Sequence, residues 1–269
     1  MDPALSIIPD FWKVDRDLIL DRLGSLWEEL RGERLFITGG TGFFGTWILQ
    51  SLAWANTRFG LGASAVVLTR NPSAFWDRVP HLAQNPAFSF HPGDVRDFTF
   101  PAGHFSHIIH GATTSAVATY LREDPLKKFD TIVSGTRHTL DFAVHCGARR
   151  LLLTSSGAAY GRQPADLTHI SEDYPGGPDL FDPASALGEG KRAAELLCAL
   201  YAHKHGLETK IARCFTFVGP HLQMDIHYAI GNFIRDAIRQ VPIRITGDGT
   251  PRRSYLYASD LMVWLWTIL

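Results

Sequence analysis

The chain has 269 residues and a mass of 29.9 kDa; 45% of its residues are hydrophobic, and 26 Lys and Arg stand against 27 Asp and Glu for a formal net charge of −1. A chain this apolar can bury a full core, which excludes disorder, and its near neutrality removes the basic excess that a phosphate backbone requires, so no nucleic-acid partner is expected. No stretch reaches the ~18 uninterrupted apolar residues of a membrane span, and the length accommodates one large α/β domain or one domain with a small lobe.

In chain order, Met1 to Ile8 lacks a basic n-region and runs into Pro9 and Asp10, which does not read as a signal peptide. Asp15 to Leu30 carries Leu18, Leu23, Leu26, Trp27 and Leu30 at helical spacing, an amphipathic preface occupying residues 1–32. Short β runs follow at Arg34–Thr38, Ala65–Leu68, Ala87–His91, His107–His110, Arg150–Thr154 and Thr209–Ala212. Helical stretches at Phe43–Ala55, Pro125–His145 and Ser185–His205 separate them, and this alternation predicts a parallel sheet over residues 33–220. Beyond Gly219-Pro220 come a helix from about Ile226 to Arg239, a run Ile243–Thr246, a Gly247-Asp248-Gly249 turn and a last helix from Ser259. Residues 221–269, with the Pro- and Gly-rich Gln163–Pro183, read as a small substrate lobe over the sheet's carboxyl edge. The chain stops at Leu269 inside an apolar run without a C-cap signal, so the lobe is expected to be incomplete. Cys146, Cys198 and Cys214 lie far apart, which fits a reducing cytoplasm and neither a disulfide framework nor a cysteine-rich zinc site.

The most informative segment is Leu35-Phe36-Ile37-Thr38, which breaks into Gly39-Gly40-Thr41-Gly42-Phe43-Phe44-Gly45 and then opens a helix. Gly39 permits the tight turn, Gly42 lets a ligand diphosphate approach the backbone N–H groups, and Gly45 lets the helix pack close to the strand. The helix N-terminus adds a partial positive charge. A turn that merely joins two elements is the plainer reading, but strand, turn, helix and later βα units come in the order a dinucleotide site needs. The second strand ends Val67-Leu68-Thr69-Arg70; Arg70 leans toward a 2′-phosphate and so toward NADP, while NAD stays open. Gly93-Asp94-Val95 follows the third strand, where Asp94 is a candidate acceptor for an adenine amino group or a turn cap.

These motifs continue in order as His110-Gly111-Ala112, Gly135-Thr136, Thr154-Ser155-Ser156-Gly157-Ala158-Ala159-Tyr160-Gly161, Gly188-Glu189-Gly190-Lys191, Arg213, Gly219-Pro220 and Arg253-Ser254-Tyr255. From Leu35 onward the chain therefore resembles the extended short-chain dehydrogenase/reductase family, the nucleotide-sugar epimerases, dehydratases and decarboxylases. The resemblance implies an α/β fold, a Rossmann-type doubly wound parallel sheet with a small C-terminal substrate lobe. It implies NAD or NADP as cofactor, held by Gly39, Thr41, Gly42, Phe43, Phe44, Gly45, Arg70, Asp94, Val95, Gly111, Ala112 and Lys191. It also implies a nucleotide-sugar substrate, and a homodimer built on the helices Pro125–His145 and Ser185–His205.

The family's chemistry begins by oxidising a sugar hydroxyl: a tyrosine takes the O–H proton while hydride passes to the nicotinamide. A phenol, with a pKa near ~10, needs nearby positive charge to act as a base. By resemblance Lys191 supplies that charge and Ser156 hydrogen-bonds the substrate oxygen. The tyrosine position, four residues before Lys191, holds Leu187, which can neither accept nor donate a proton, so impaired catalysis is expected. Tyr160, four residues after Ser156, is a weak substitute, since an aromatic there commonly packs. The alternative is a binding or regulatory protein that keeps the fold without turnover.

The resemblance assigns the substrate's diphosphate to Asn232 and Arg253, the guanidinium fork suiting phosphate oxygens. Thr216 and Ile132 stand where the family often has Asn, and Gly157-Ala158 stands where 4,6-dehydratases carry Asp-Glu. Water elimination is thereby disfavoured, leaving epimerase, decarboxylase-like or ketoreductase chemistry. No metal site is expected: His104, His107 and His110 recur every third residue in a strand, where odd separations point to opposite faces. His203 and His205, two apart on a helix, also diverge. Ser155 and Ser156 lack the Gly-x-Ser-x-Gly elbow of a hydrolase. Trp47, Trp54, Trp264 and Trp266 read as core or interface.

Overall fold

A computed structural model describes residues 12–114, 118, 121–226, 228–245, 247–250 and 252–269; the expectation for Met1 to Ile8 lies outside them. Six parallel strands, β1 (Arg34–Thr38), β2 (Ser64–Thr69), β3 (Phe88–Pro92), β4 (His107–His110), β5 (Arg150–Ser156) and β6 (Glu208–Cys214), form one sheet in the order β3-β2-β1-β4-β5-β6. In register, Thr38 of β1 faces Leu68 of β2 on one side and His110 of β4 on the other. This is the doubly wound arrangement, in which the strand order reverses between β1 and β4 while every pairing stays parallel.

Alternation along the strands explains the layers. Leu35 and Ile37 of β1, Val67 of β2, Ile109 of β4 and Leu152 of β5 enter one apolar cluster. Phe36, Val66, Leu68, Ile108, Leu151 and Leu153 enter the other. Both faces are therefore covered, as a parallel sheet requires. α2 (Phe43–Phe59) lays Trp47, Leu49 and Leu52 on the first face. α5 (Pro125–His145) and α6 (Ala186–His205) lay Leu140, Phe142, Ala194 and Cys198 on the second. Between β2 and β3 run α3 (Pro72–Arg78) and α4 (Pro80–Ala83), each opened by a proline at its first turn.

Five elements depart from the sequence reading. The single helix expected over Asp15–Leu30 divides into α1 (Lys13–Leu23) and a 3-10 helix (Gly24–Leu30), because Gly24 takes φ +47 and ends the α geometry. The helix expected from about Ile226 is α7 (Ala229–Ile238), and the described part of the run expected at Ile243–Thr246 forms no strand, with Ile243 and Ile245 exposed; Thr246 lies outside the described residues. Two short strands that the sequence did not signal, β7 (Thr216–Val218) and β8 (Tyr255–Tyr257), pair in parallel.

Both segments expected to flank the sheet domain contribute to its core. Ile19, Leu20, Leu23, Trp27 and Leu30 join Leu261, Met262, Leu265 and Trp266 of α8 (Ala258–Ile268) in the first apolar cluster. Trp12 meets Trp47 edge-on at 5.1 Å, and Trp27 lies 5.2 Å from Trp266. Trp264, by contrast, is exposed. No helix among the described residues is long and apolar enough to cross a membrane.

Candidate functional site

The crevice lies where the strand order reverses, at the carboxyl ends of β1 and β4. Gly39 has φ +72, and a Cβ there would stand 2.5 Å from the Gly111 carbonyl carbon, so the two turns touch backbone to backbone. A Cβ on Gly45 would stand 2.2 Å from the Gly40 Cα, so α2 seats directly on the turn. Gly42 is the N-cap of α2 and supplies no side-chain cap. The helix thus begins on backbone N–H groups with the polarity and open shape that a diphosphate fits. Phe43 and Phe44 are half-buried, Phe44 edge-on to Phe217 at 4.8 Å, and the Thr41 carbonyl accepts a hydrogen bond from the Arg78 guanidinium.

The floor of the crevice is a closed hydrogen-bond network. The Gly111 N–H donates to the Thr38 carbonyl at 3.0 Å, and the Ala112 N–H to Thr38 Oγ1 at 3.1 Å. His110, 1% exposed, joins Thr38 Oγ1 through Nδ1 at 2.7 Å and Thr136 Oγ1 through Nε2 at 2.9 Å. Burial, reinforced by the Lys191 charge, pushes its pKa down to about 3, so the imidazole is neutral. On the β3 side, Asp94 Oδ1 accepts from the Arg96 side chain at 2.9 Å and from its N–H at 3.1 Å, and the guanidinium holds the carboxyl below the usual range. Val95 is buried against α5, where Gly135 gives it room. Arg70 is exposed at the end of β2.

Ser156, Leu187 and Lys191 gather where β5 ends and α6 begins. Ser156 Oγ accepts the Ala158 N–H at 3.1 Å and caps the 3-10 turn Gly157–Tyr160. α6 rests on that turn because residue 188 is glycine: a Cβ would lie 2.5 Å from the Ala158 carbonyl oxygen. Lys191 is 4% exposed and its Nζ donates to the Thr154 carbonyl at 2.6 Å. Burial pulls its pKa down to about 8. Leu187, one turn earlier, is half-buried against the cluster beneath α5 and α6. Tyr160 is 5% exposed, with the Arg213 guanidinium over its ring at 4.5 Å and Phe215 stacked at 6.1 Å. The pleat divides the adjacent serines: Ser155 donates to Glu195, which pairs with Arg213 at 2.7 Å.

Asn232 is engaged within its own segment, Nδ2 donating to the Ile226 carbonyl at 2.9 Å and Oδ1 accepting from Arg235 at 2.8 Å. Arg253 is exposed and donates to the Arg252 carbonyl at 2.7 Å. Among the described residues, neither hydrogen-bonds to the crevice. Sequence reasoning missed His110 as the bridge under the crevice and Arg78 above the turn. The partners of His110 lie 72 and 26 residues away, and the partner of Arg78 is a backbone carbonyl, which leaves no side-chain signature.

Residues 35–269 match the model of the NAD dependent epimerase/dehydratase family. UDP-glucuronic acid decarboxylase 1 of Arabidopsis thaliana is 33% identical over 230 residues, covering 85% of this chain and 50% of the relative; the chain spans about half the length of that relative. A UDP-galactose 4-epimerase structure superposes with TM-score 0.64 at 27% identity, over 87% of this chain and 72% of that one. The dTDP-glucose 4,6-dehydratase DesIV of Streptomyces venezuelae, solved with NAD bound, gives TM-score 0.68 at 26% identity, over 85% and 69%.

Proposed function

Since the chain belongs to the NAD-dependent epimerase/dehydratase family, we propose that it binds a nicotinamide dinucleotide in the β1–β4 crevice together with a nucleotide sugar, and that its turnover is impaired. The observation that carries the reading is the pair of glycine contacts, Gly39 on Gly111 and Gly45 on Gly40, which leave the first turn of α2 bare for a diphosphate. A bound dinucleotide supplies the hydride acceptor for oxidation of a sugar hydroxyl. Ser156 offers its hydroxyl to the substrate oxygen, and Lys191 places a buried cation beside it. Asn232 and Arg253 are the proposed anchors for the sugar's diphosphate. A UDP-linked uronic acid is the substrate class that the similarity to a UDP-glucuronic acid decarboxylase supports.

Among the described residues, neither position considered for proton removal supplies a free base. Leu187 is aliphatic, and Tyr160 is confined in its stack with Arg213 and Phe215. The same observation favours a second reading, a binding or regulatory protein that retains dinucleotide and nucleotide sugar without turning them over. Three unpaired cysteines support a reducing, cytoplasmic setting. The exposed apolar residues of α5 and α6 support pairing of two copies.

Single-turnover reduction of NAD and NADP with UDP-glucuronic acid tests the reading, alongside fluorescence titration of both ligands. The parent is expected to bind and to reduce slowly, with Leu187→Tyr faster by about 10²–10⁴-fold, the range of general acid–base assistance. Equal rates in parent and variant would overturn the role assigned to position 187. Absence of dinucleotide binding would overturn the whole reading. Binding that stays without turnover even in Leu187→Tyr selects the regulatory reading.

A further inference from the structure

Residues 12–32 precede the stretch 35–269 that matches the family model, and two of their side chains reach the lobe. The first meets the turn Gly219-Pro220-His221-Leu222, which follows β7 and is closed by the Leu222 N–H donating to the Gly219 carbonyl at 3.2 Å. His221 takes φ +71 in that turn, the left-handed region that costs free energy for a residue with a Cβ. Its Nε2 is buried, without a hydrogen-bond partner among the described residues. A turn built this way is unfavourable by itself and persists only where its surroundings hold it.

Two elements hold it. From α2, the Trp47 Nε1–H donates to the Pro220 carbonyl at 2.9 Å. From the N-terminal element, Trp12 stacks on the His221 imidazole, with centroids 5.6 Å apart and planes 19° from parallel. The same indole meets Trp47 edge-on at 5.1 Å and Trp54 at 5.9 Å. One helical turn further on, Asp15 Oδ2 accepts a hydrogen bond from the Tyr257 hydroxyl at 3.2 Å, which ties the end of β8 to α1. β7 and β8 pair through Thr216 with Tyr255, Phe217 with Leu256 and Val218 with Tyr257, so both ties act on one ribbon. The ribbon reaches the crevice through Phe217, which meets Phe44 in the first turn of α2 at 4.8 Å.

We propose that residues 12–32 are a latch: Trp12 and Asp15 offset the strained turn at His221, hold the β7–β8 ribbon against the first turn of α2, and thereby set the lobe's grip on its ligand. The ligand half of this inference rests on the nucleotide-sugar reading above, whereas the latch rests on the contacts alone. Without the Trp12 ring, the turn keeps its strain and loses what offsets it, and the ribbon opens locally while the sheet stays folded.

Amide hydrogen exchange of the purified chain tests the latch without ligand. Trp12→Ala is expected to speed exchange in residues 216–222 and 255–257 by about tenfold relative to β1 and β4, whose protection reports global unfolding. Adding His221→Gly to Trp12→Ala is expected to slow the ribbon again by about fivefold, because glycine removes the left-handed cost that the missing ring no longer offsets. A plain loss of packing would instead be made worse by a second truncation. Tyr257→Phe removes one hydroxyl and is expected to speed the same segments by about threefold, which keeps the test decisive if Trp12→Ala fails to fold. Acceleration shared equally by ribbon and sheet, or no rescue by His221→Gly, overturns the latch. Calorimetric titration of parent and Tyr257→Phe with UDP-glucuronic acid reads the ligand half, with weaker binding by the variant expected. Equal binding beside an accelerated ribbon overturns the lobe's dependence on the latch, and no binding by the parent overturns the nucleotide-sugar reading while the exchange result stands.

Discussion

Lys191 illustrates how a single residue couples site and stability. Its ammonium is 4% exposed, and among the described residues its one hydrogen bond goes to the Thr154 carbonyl at 2.6 Å. Desolvation lowers its pKa from 10.5 to about 8, against weaker opposing effects from Cys214, Cys198 and Glu195. The folded chain therefore holds this proton less firmly than the unfolded chain. Stability is full above about pH 10.5 and falls as pH drops toward 8. Lys191→Met keeps length without charge and is expected to raise stability at neutral pH by on the order of 2 kcal/mol. It is also expected to flatten the dependence across that window and to weaken dinucleotide binding. Urea unfolding at neutral and alkaline pH reads this out; a destabilised variant with the parent's pH slope would contradict it. At this scale the glycine turn and the leucine at position 187 were legible because each is a local word in the chain. The partners that confine Tyr160 were not, because Arg213 and Phe215 lie more than fifty residues further along.

Among the elements, α5 and α6 expose an apolar face on the side away from the sheet. Leu126 and Phe129 of α5 and Leu196 and Leu200 of α6 are exposed, and Leu180 and Phe181 lie exposed in the preceding loop. All of these except Leu200 line a groove of about 1110 Å³, together with Arg192 and Arg213. Burying such a patch between two copies removes several large side chains from water, each contributing about 1.5–3 kcal/mol when fully covered. The proposed pairing predicts that Leu196→Lys with Leu200→Lys yields a monomer by sedimentation equilibrium, with the circular dichroism of the parent, whereas the parent sediments as a dimer. A parent that sediments as a monomer at tens of micromolar would remove the pairing. The strands and long helices were readable from the alternation of short β runs with helical stretches, clearest in β1, β2, β4 and β5, whose residues are mostly buried. The grouping of the terminal elements was not: Trp12 at the start of α1 meets Trp47 of α2, Trp27 of the 3-10 helix meets Trp266 of α8, and sequence distance hides those contacts. Gly24, within a continuous apolar pattern, gave no sign that it would break the first helix.

Across the whole molecule, the acid response follows from where the histidines lie. His110 under the crevice is pushed down to about 3, and His107, at the opposite end of the same strand and also buried, to about 4. Burial also lowers His81, which bonds Gln50 Oε1 at 2.6 Å, and His221, which stacks on Trp12 at 5.6 Å. All four act in one direction: the unfolded chain takes up protons near pH 6.5 that the folded chain refuses. Their contribution to stability is complete above about 6.5 and is lost as pH falls toward 4 and then 3. The carboxylates held low by their partners, Glu33 and Asp94 among them, add their own loss only below their ordinary values of 4.5 and 3.8, so the window between 6.5 and 4.5 belongs to the histidines. Each buried histidine steepens the fall there by about 1.4 kcal/mol per unit of pH. His110→Gln retains groups able to meet Thr38 and Thr136 but cannot take the proton. It is expected to cost about 1 kcal/mol at pH 7, within the range of one altered buried hydrogen bond. Its stability should then fall less steeply than the parent's, so that the two curves cross between pH 6 and 5. Urea midpoints measured across that interval decide the matter: parallel curves would mean that water reaches His110 and that the sealed floor between β1, β4 and α5 opens in solution.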